Sequence, residues 1–175
     1  ISIIGSAGRN EDEVKMTKEL FQVMVSKAKG EILGILGIFK ENLELKDAYT
    51  LVSGGAAWSD HIAVRLYLEG FCKSLTLHLP ARWEKNKFDN TSKDGFMSNK
   101  YHALFSAKMK VDTLSEISQA IEKGAKVITY NGFFIRNKSV AKSDVLIAFS
   151  WAENDSEISG GTGYTWSLAK GKRIH

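Results

Sequence analysis

Apolar residues along the chain alternate between short continuous runs and longer stretches with helical spacing. Buried parallel strands read as short apolar runs because helices cover both of their faces. Strands are therefore predicted at Ile1–Gly5, Tyr49–Ser53, Ser74–Leu79, Lys126–Tyr130, Asp144–Phe149 and Lys172–His175. The alternation of strands with helices predicts one α/β domain over residues 1–175, which is Rossmann-like and doubly wound, with a mainly parallel sheet and helices on both faces.

Helices are predicted where apolar positions recur three and four residues apart. The first is predicted to begin at Glu11, and its apolar face comprises Val14, Leu20, Phe21, Met24 and Ala28. Beyond the glycines at positions 30, 34 and 37, a second helical piece is predicted to run toward Lys46. Further helices are predicted at Ile62–Gly70, Ile135–Lys142 and Thr162–Lys170.

The connection from Ala81 to Gly124 is too long to be a simple turn, and it predicts an insertion. Its first half, through Asp94-Gly95, is expected to be a loop. Its second half is expected to be helical, with Thr113 as the N-cap and Glu116 at the third helical position of a capping box.

The same insertion carries the positive charge of the chain. Residues 81–110 include seven basic and three acidic side chains, a surplus equal to the net charge of +4. The segment is either a solvated lysine-rich surface or an electrostatic attraction for phosphate-bearing ligands. Aromatic residues interleave with its lysines, which suits either stacking on bases or anchoring of a long loop. They are Trp83, Phe88, Phe96 and Tyr101.

Composition restricts the class of protein. A chain of 175 residues with 43% hydrophobic and 25% charged residues is typical of a globular domain. No apolar run approaches the roughly 18 residues needed to cross a bilayer, and Ile1–Gly5 does not resemble a signal peptide, so no membrane partner is expected. Cys72 is the only cysteine, which favours a reducing, cytoplasmic setting. The four histidines lack ligand spacing, so neither a metal nor a cofactor is expected.

Three glycine-rich segments each follow a predicted strand and lead toward a helix: Gly5-Ser6-Ala7-Gly8-Arg9, Ser53-Gly54-Gly55-Ala56-Ala57 and Ser159-Gly160-Gly161-Thr162-Gly163. In a parallel sheet these turns share one edge, so the segments should converge on one crevice. Glycine lets the backbone approach a ligand closely, and the following helix N-terminus favours a phosphate or carboxylate. Tight turns in α/β folds also use glycine for purely structural reasons.

The commonest nucleotide motifs are missing. The sequence contains no P-loop, and the glycines that end at Gly163 are followed by Trp166 and open the last helix rather than the first. Arg9 and Arg136 are candidates for phosphate contact, since a guanidinium matches phosphate geometry. The alternative for Arg136 is an ion pair with Asp60 or Asp144. Asp60 either holds a ribose hydroxyl or caps its own turn.

The motifs occur in an order that resembles a known superfamily. Ser53-Gly54-Gly55-Ala56-Ala57-Trp58-Ser59-Asp60 is followed by Arg136-Asn137, by the strand Ser143–Phe149, and by Gly161-Thr162-Gly163-Tyr164-Thr165 with Gly171-Lys172. This series resembles the SLOG superfamily, which includes DNA-processing protein A, the lonely-guy enzymes and YspA-like proteins. The resemblance covers most of the chain outside the insertion.

The resemblance implies a nucleotide-binding Rossmann-like domain and a homodimer. The glycine-rich turns, the two arginines and the resemblance together predict these ligand-binding residues: Gly5, Ser6, Arg9, Ser53, Gly54, Gly55, Ala56, Asp60, Arg136, Asn137, Gly160, Gly161, Thr162 and Gly163. Trp58 stands where the superfamily usually has glycine, which would narrow the pocket or provide a stacking face.

Catalysis is the uncertain part of the resemblance. Thr165 stands where the lonely-guy enzymes and related hydrolases place a glutamate, and a threonine cannot replace that carboxylate. Glu153, Asp155 and Glu157 lie upstream, either as substitutes or as an acidic solvated loop. The leading hypothesis is therefore a protein that senses or sequesters a nucleotide-derived, phosphate-bearing molecule. The alternatives are an enzyme acting on the N-glycosidic bond of a nucleotide, and a module that binds single-stranded DNA weakly.

Overall fold

A computed structural model describes residues 1–37 and 49–175 and contains eight strands in these ranges. They are β1 (Ser2–Gly5), β2 (Thr50–Ser53), β3 (Ser74–Leu79), β4 (Trp83–Glu84), β5 (Lys87–Phe88), β6 (Lys126–Thr129), β7 (Val145–Phe149) and β8 (Lys172–Ile174). Six of them form a parallel sheet in the order β6-β3-β2-β1-β7-β8, and β4 and β5 form a separate antiparallel hairpin. The predicted α/β fold and its six sheet strands are confirmed.

The same ranges contain seven α-helices. They are α1 (Asp12–Lys15), α2 (Lys18–Ile35), α3 (His61–Leu68), α4 (Lys93–Met109), α5 (Thr113–Glu122), α6 (Phe133–Val140) and α7 (Gly160–Leu168). Short 3-10 turns at Trp58–Asp60 and Asp155–Glu157 precede α3 and α7. The predicted helical piece toward Lys46 lies outside the described residues.

The order of the strands reverses beside β1. The chain adds β2, β3 and β6 in turn on one side of β1, then crosses to add β7 and β8 on the other side. Gly5 at the end of β1 is in register with Phe149 at the end of β7. A reversal of this kind opens a crevice beyond the carboxyl ends of the two central strands, because their connections leave toward opposite faces.

Apolar side chains fill both faces of the sheet. Alternate residues of a strand point to opposite faces, so Ile3 packs into the larger core while Ile4 packs into the smaller one. The larger core includes residues of α2, α3, α4 and α5, and the smaller includes Val140 of α6 and Trp166 of α7. The helices therefore cover both faces, as the doubly wound prediction requires.

The first predicted helix is divided in two. Thr17 is extended, with φ −123° and ψ 166°, and its hydroxyl accepts a hydrogen bond from the Leu20 N–H as the N-cap of α2. Val14 lies on the separate helix α1 and is 83% exposed, so its predicted place on the buried face was wrong. Phe21 and Met24 are buried as predicted, and α2 continues through the glycines at 30 and 34 to Ile35.

The insertion is more regular than expected. Its first half contains the β4–β5 hairpin, and α4 begins at Lys93, where Ser92 caps the helix by accepting from the Gly95 N–H. Asp94-Gly95 therefore lies in the first turn of a helix and not in a loop. The predicted capping box was also wrong, since Asp112 accepts from the N–H groups of Leu114 and Ser115 and is the N-cap of α5.

Thr113 and Glu116 have other partners. Thr113 is buried, and its hydroxyl lies 2.9 Å from His102 Nδ1 on α4. Glu116 forms an ion pair with Arg65 at 2.7 Å and a hydrogen-bonded contact with His61 at 2.8 Å. Both contacts join α5 to α3, so the second half of the insertion packs on the central part of the domain.

The last helix starts earlier than predicted. Helix α7 begins at Gly160 rather than Thr162, and it ends at Leu168 rather than Lys170. No helix within residues 1–37 and 49–175 has both the length and the apolar character needed to cross a bilayer. Cys72 is buried, and this burial raises the pKa of its thiol to about 11.

Candidate functional site

An open cleft of about 840 Å³ lies beyond the carboxyl ends of β1 and β7, where the strand order reverses. Its walls come from the turn after β1, the start of α1, the first turns of α6 and α7, and the turn after β7. Its volume is in the range of about 300–1,000 Å³ that small-molecule sites occupy. The fold therefore places a sizeable concave surface at the position where ligands bind in open α/β sheets.

Ten of the fourteen predicted ligand-binding residues line this cleft. They are Gly5, Ser6, Arg9, Ala56, Asp60, Arg136, Asn137, Gly160, Gly161 and Thr162. They come from all three glycine-rich segments and from α6, so the predicted convergence of these segments holds for the first and last segments and for Ala56 of the second.

The remaining predicted residues have structural positions outside the lining. Ser53 is fully buried; its hydroxyl donates to the Asp60 carbonyl at 2.8 Å and accepts from the Gly55 N–H at 3.0 Å. A Cβ on Gly55 would lie 2.5 Å from Leu79, and a Cβ on Gly163 would lie 2.1 Å from the Ile158 carbonyl. These groups fix the turns on which the lining residues stand.

Gly54 gives the Arg136 side chain its space. A Cβ at Gly54 would lie 1.5 Å from Arg136 Nη1, so only glycine permits the guanidinium to pass. Arg136 Nη1 donates to Asp60 Oδ2 at 2.9 Å, and these side chains are only 7% and 5% exposed. The predicted alternative of an ion pair with Asp60 is therefore realised.

The buried pair still has unused donors. Arg136 Nε is buried and has no hydrogen-bond partner in the described part of the chain, and Arg136 lines the cleft. Burial raises the pKa of the Asp60 carboxyl, while Arg136 and the N–H groups of Ala56 and Gly54 oppose that shift. The pair thus places a buried guanidinium in the wall of the cleft, with its Nε–H group unpaired.

The N-terminus of α7 provides a second set of donors. Its N-cap, Ser159, makes no side-chain cap hydrogen bond, and the first N–H groups of a helix have no partner inside it. Gly160 has open space around a built Cβ, and the Cβ of Gly161 would meet only Asn137 Nδ2 at 3.6 Å. A ligand can therefore approach this helix end without meeting side chains.

Arg9 lies at the mouth of the cleft and is exposed. Its guanidinium lies over the rings of Tyr101 and Phe133, at 5.1 and 5.2 Å from the ring centres. It forms no ion pair with any residue of the described ranges. The aromatic contacts orient a cation toward the cleft while leaving its charge uncompensated.

Three further carboxylates, besides Asp60, belong to the cleft lining. They are Glu11, Asp12 and Glu157. The Ser6 hydroxyl donates to Asp12, and Glu157 accepts from the Glu153 N–H at 3.2 Å and from the Asn154 amide. Glu157 is thus used to hold its own turn, as expected for an acidic solvated loop, and Asp12 joins the first glycine-rich turn to α1.

Other lining residues were missed by the sequence analysis: Asn10, Phe133, Phe134, Ser150, Trp151 and Ile158. The signal for Ser150 was present, because a residue directly after a parallel strand lies at the ligand-binding edge of the sheet. Phe133 and Phe134 had no such signal, since they begin a helix whose start was predicted two residues later.

Trp58 does not act as the sequence suggested. Trp58 is 2% exposed, has φ +62°, and packs on Phe105 with ring centres 4.3 Å apart. It fills the core and neither narrows the cleft nor offers a stacking face. Thr165 is buried at the base of the cleft, and its hydroxyl donates to the Gly161 carbonyl at 2.8 Å.

Comparison with known proteins finds a viral protein of similar sequence. Over 174 residues the chain is 36% identical to "Uncharacterized protein R261" of Acanthamoeba polyphaga mimivirus, and the match covers 97% of this chain and 90% of the viral protein. The chain belongs to the family of this mimivirus protein. The name of this relative states no ligand or reaction. No protein-family model matches the chain, and no solved structure matches it significantly.

Within residues 1–37 and 49–175, no group of three or more His, Cys, Asp or Glu side chains is arranged to hold a metal ion. The cleft can instead offer backbone N–H groups, two guanidinium groups, hydroxyls and aromatic rings to a ligand.

Proposed function

We propose that this protein binds a nucleotide or a nucleotide-derived, phosphate-bearing small molecule in the cleft, as a sensor or a sequestering protein. One observation carries the proposal. The uncapped N-terminus of α7 and the partly unpaired guanidinium of Arg136 line the same cleft at the reversal of the strand order. Free N–H groups, a helix dipole and a guanidinium together favour an anion with several oxygens.

The anionic group of the ligand is assigned to the α7 end of the cleft. Gly160 and Gly161 leave this end free of side chains, and Arg136 and Asn137 flank it from α6. Asn137 Nδ2 donates to the Gly161 carbonyl at 3.3 Å, which holds the first turn of α7 against α6. An anion bound here would therefore contact two helices in a fixed relative position.

The part of the cleft formed by the start of α1 suits hydroxyl groups. Asp12 and Glu11 line it and would repel a second anionic group. A carboxylate accepts hydrogen bonds from sugar hydroxyls, and Asp12 is already oriented by the Ser6 hydroxyl. The arrangement favours a ligand with an anionic end and a hydroxylated body.

Aromatic side chains are available for a base. Phe133 and Phe134 start α6, and Trp151 lies on the turn after β7; all three line the cleft. Trp151 is 44% exposed and Phe134 is 69% exposed, so both rings offer surface to a ligand. Stacking on such faces accepts different bases, so it supports a nucleotide without selecting its base.

Membership of the SLOG superfamily is part of this proposal and rests on the motif order. Binding without N-glycosidic cleavage is favoured, since the Thr165 hydroxyl bonds to the Gly161 carbonyl and the Glu157 carboxylate bonds within its own turn.

A homodimer is also proposed. The exposed apolar side chain of Ile135 on α6 supports an interface. Contact with nucleic acid is expected to be weak and salt-dependent.

Calorimetric titration tests the proposal. Nucleoside mono- and diphosphates and ADP-ribose-like compounds are titrated into the wild type and into Gly161→Val, whose side chain would occupy the anion site. We expect saturable binding to the wild type and at least a tenfold weaker affinity in the variant. Equal affinities would contradict an anion site at α7, and no heat with any compound would contradict nucleotide binding.

A further inference from the structure

A serine, a histidine and an aspartate lie in series at the side of the cleft formed by β7 and β8. Ser150 directly follows β7 and lines the cleft, and its Oγ lies 2.7 Å from His175 Nε2. His175 Nδ1 lies 3.6 Å from Asp155 Oδ1 on the 3-10 turn before α7. We propose that the protein hydrolyses small carboxylic esters, with Ser150 as the nucleophile, His175 as the general base and Asp155 as the residue that orients the imidazole.

The hydrogen bonds set the direction of proton transfer. The Ala152 N–H donates to Ser150 Oγ at 3.2 Å, so an acceptor position of the hydroxyl is occupied. The hydroxyl proton can then point to His175 Nε2, which accepts it in the tautomer that carries its proton on Nδ1. Nδ1 is the nitrogen that faces Asp155. This is the order of groups in a serine–histidine–aspartate triad, with Nδ1 and Asp155 Oδ1 3.6 Å apart, beyond hydrogen-bond distance, in the free protein.

The parallel sheet keeps the serine and the histidine together. Strands β7 and β8 are hydrogen-bonded neighbours, and their carboxyl ends place Ser150 and His175 side by side. The His175 side chain is only 13% exposed, and its ring packs 6.0 Å from that of Trp166. Asp155 is more exposed, and its 3.6 Å distance would shorten when the imidazole becomes charged during reaction.

The rest of the cleft provides what ester cleavage needs. The free N–H groups at Gly160 and Gly161 line the same cleft as Ser150 and would stabilise the oxyanion of a tetrahedral intermediate. Trp151 and Phe134 offer apolar surface for the acyl or the alcohol part of the ester. The ester must be small, since the cleft holds about 840 Å³.

The reaction balances without a cofactor. Ser150 Oγ forms a bond to the carbonyl carbon while its proton passes to His175 Nε2, and the carbonyl oxygen takes the electron pair. The intermediate then breaks its bond to the alcohol oxygen, which leaves with the proton from Nε2. Water repeats the sequence on the acyl-Ser150 ester, releases the carboxylic acid and restores the hydroxyl.

This activity does not depend on nucleotide binding, because Ser150, His175 and Asp155 are separate from the Arg136 anion site. The two proposals share the α7 N–H groups and the rings of Trp151 and Phe134. Ester hydrolysis without nucleotide binding would support the esterase proposal and contradict the proposed function. Nucleotide binding without ester hydrolysis would support the proposed function and contradict the esterase proposal.

An active-site-directed fluorophosphonate tests the assignment on the full chain. We expect one phosphonyl adduct by intact-protein mass spectrometry, with loss of fluoride, and peptide mapping should place it on Ser150. Hydrolysis of p-nitrophenyl acetate should disappear in Ser150→Ala. It should fall by about 10²–10⁴-fold in His175→Gln, which keeps a polar side chain but cannot accept the proton. Ser167→Ala changes an exposed serine of α7 and should react as the wild type does.

The outcomes that overturn the proposal are equally specific. An adduct on another residue, no adduct on Ser150, or labelling of Ser150 at an unchanged rate in His175→Gln would each exclude it. Circular dichroism identifies variants that fail to fold. Should Ser150→Ala be one of them, the site of labelling in the wild type and its rate in His175→Gln still decide the question.

Discussion

Arg136 Nη1 lies 2.9 Å from Asp60 Oδ2, and both side chains are buried beside the cleft. Removal of one partner would leave the other charge buried without compensation. Arg136→Ala should therefore lower the free energy of unfolding by about 3–5 kcal/mol, measured by urea denaturation. A variant as stable as the wild type would show that the pair contributes nothing to the fold.

The double variant Asp60→Asn with Arg136→Met separates stability from ligand binding. It removes both charges, keeps the volume similar, and retains an acceptor for the N–H groups of Gly54 and Ala56. It should recover most of the stability that Arg136→Ala loses, yet still bind nucleotide more weakly than the wild type. If the double variant is as unstable as Arg136→Ala, the loss of stability in Arg136→Ala does not come from leaving the Asp60 charge unpaired.

Gly161 and Gly163 lie two residues apart on α7 but should respond differently to substitution. Gly161 has space for a side chain, with Asn137 Nδ2 at 3.6 Å, whereas a Cβ on Gly163 would press on the Ile158 carbonyl at 2.1 Å. Gly161→Val should fold with a free energy of unfolding within about 1 kcal/mol of the wild type and lose ligand affinity. Gly163→Ala should lose about 1–3 kcal/mol of stability through overpacking. If thermal unfolding shows equal destabilisation of Gly161→Val and Gly163→Ala, the proposed difference between the two glycines is wrong.

Buried His102 should make the stability of the domain depend on pH. Burial lowers the pKa of His102 from 6.5 to about 3. Between these values the unfolded chain binds a proton that the native state does not. The stability that neutral His102 contributes is therefore complete above the pKa of the unfolded chain. It is lost as the pH falls toward the pKa of His102 in the folded protein.

Denaturation at two pH values checks this effect. From pH 7 to pH 5 the free energy of unfolding should fall by about 2 kcal/mol through His102 alone. His102→Gln cannot titrate, yet it can still donate to the Gly55 carbonyl that His102 Nε2 contacts at 3.1 Å. Its stability should decline less over the same range, and an identical decline in both proteins would disprove the role of His102.

Gly30 offers a stability test away from the cleft. It is exposed within α2, and a built Cβ has no atom within 4 Å. Gly30→Ala should stabilise the protein by about 0.5–1 kcal/mol, because alanine restricts the unfolded chain and favours helix. Gly55→Ala is the matched control. It should destabilise, since Gly55 has φ +69° and a Cβ there would lie 2.5 Å from Leu79. Destabilisation by Gly30→Ala would contradict the continuous helix through this position.

The sequence predicted the sheet well because buried parallel strands leave an unambiguous signal. The run Ser74–Leu79 matches β3 residue for residue, and Asp144–Phe149 differs from β7 by one residue. Helix starts were less predictable, since they depend on which of several polar residues caps. Asp112 and Thr113 are both acceptable N-caps in sequence, and the contact of Thr113 with buried His102 decides between them.

The candidate site was predictable as a set of turns but not as a set of contacts. Glycine after a strand indicates an edge of the sheet, which placed Gly5 and Gly161 in the cleft correctly. The same pattern cannot distinguish a glycine that faces a ligand from Gly54, which makes room for Arg136. Ser150 and His175 meet only because β7 and β8 are neighbours, a pairing that no local motif encodes.

Thermal unfolding with a panel of nucleotides tests the central claim most directly. A ligand at 100 times its dissociation constant stabilises the native state by about 2.7 kcal/mol, which raises the melting temperature by several degrees in a domain of this size. We predict such a rise with at least one nucleoside mono-, di- or cyclic phosphate or ADP-ribose-like compound, and its loss in Gly161→Val. A melting temperature that stays unchanged with every compound at millimolar concentration would contradict the account.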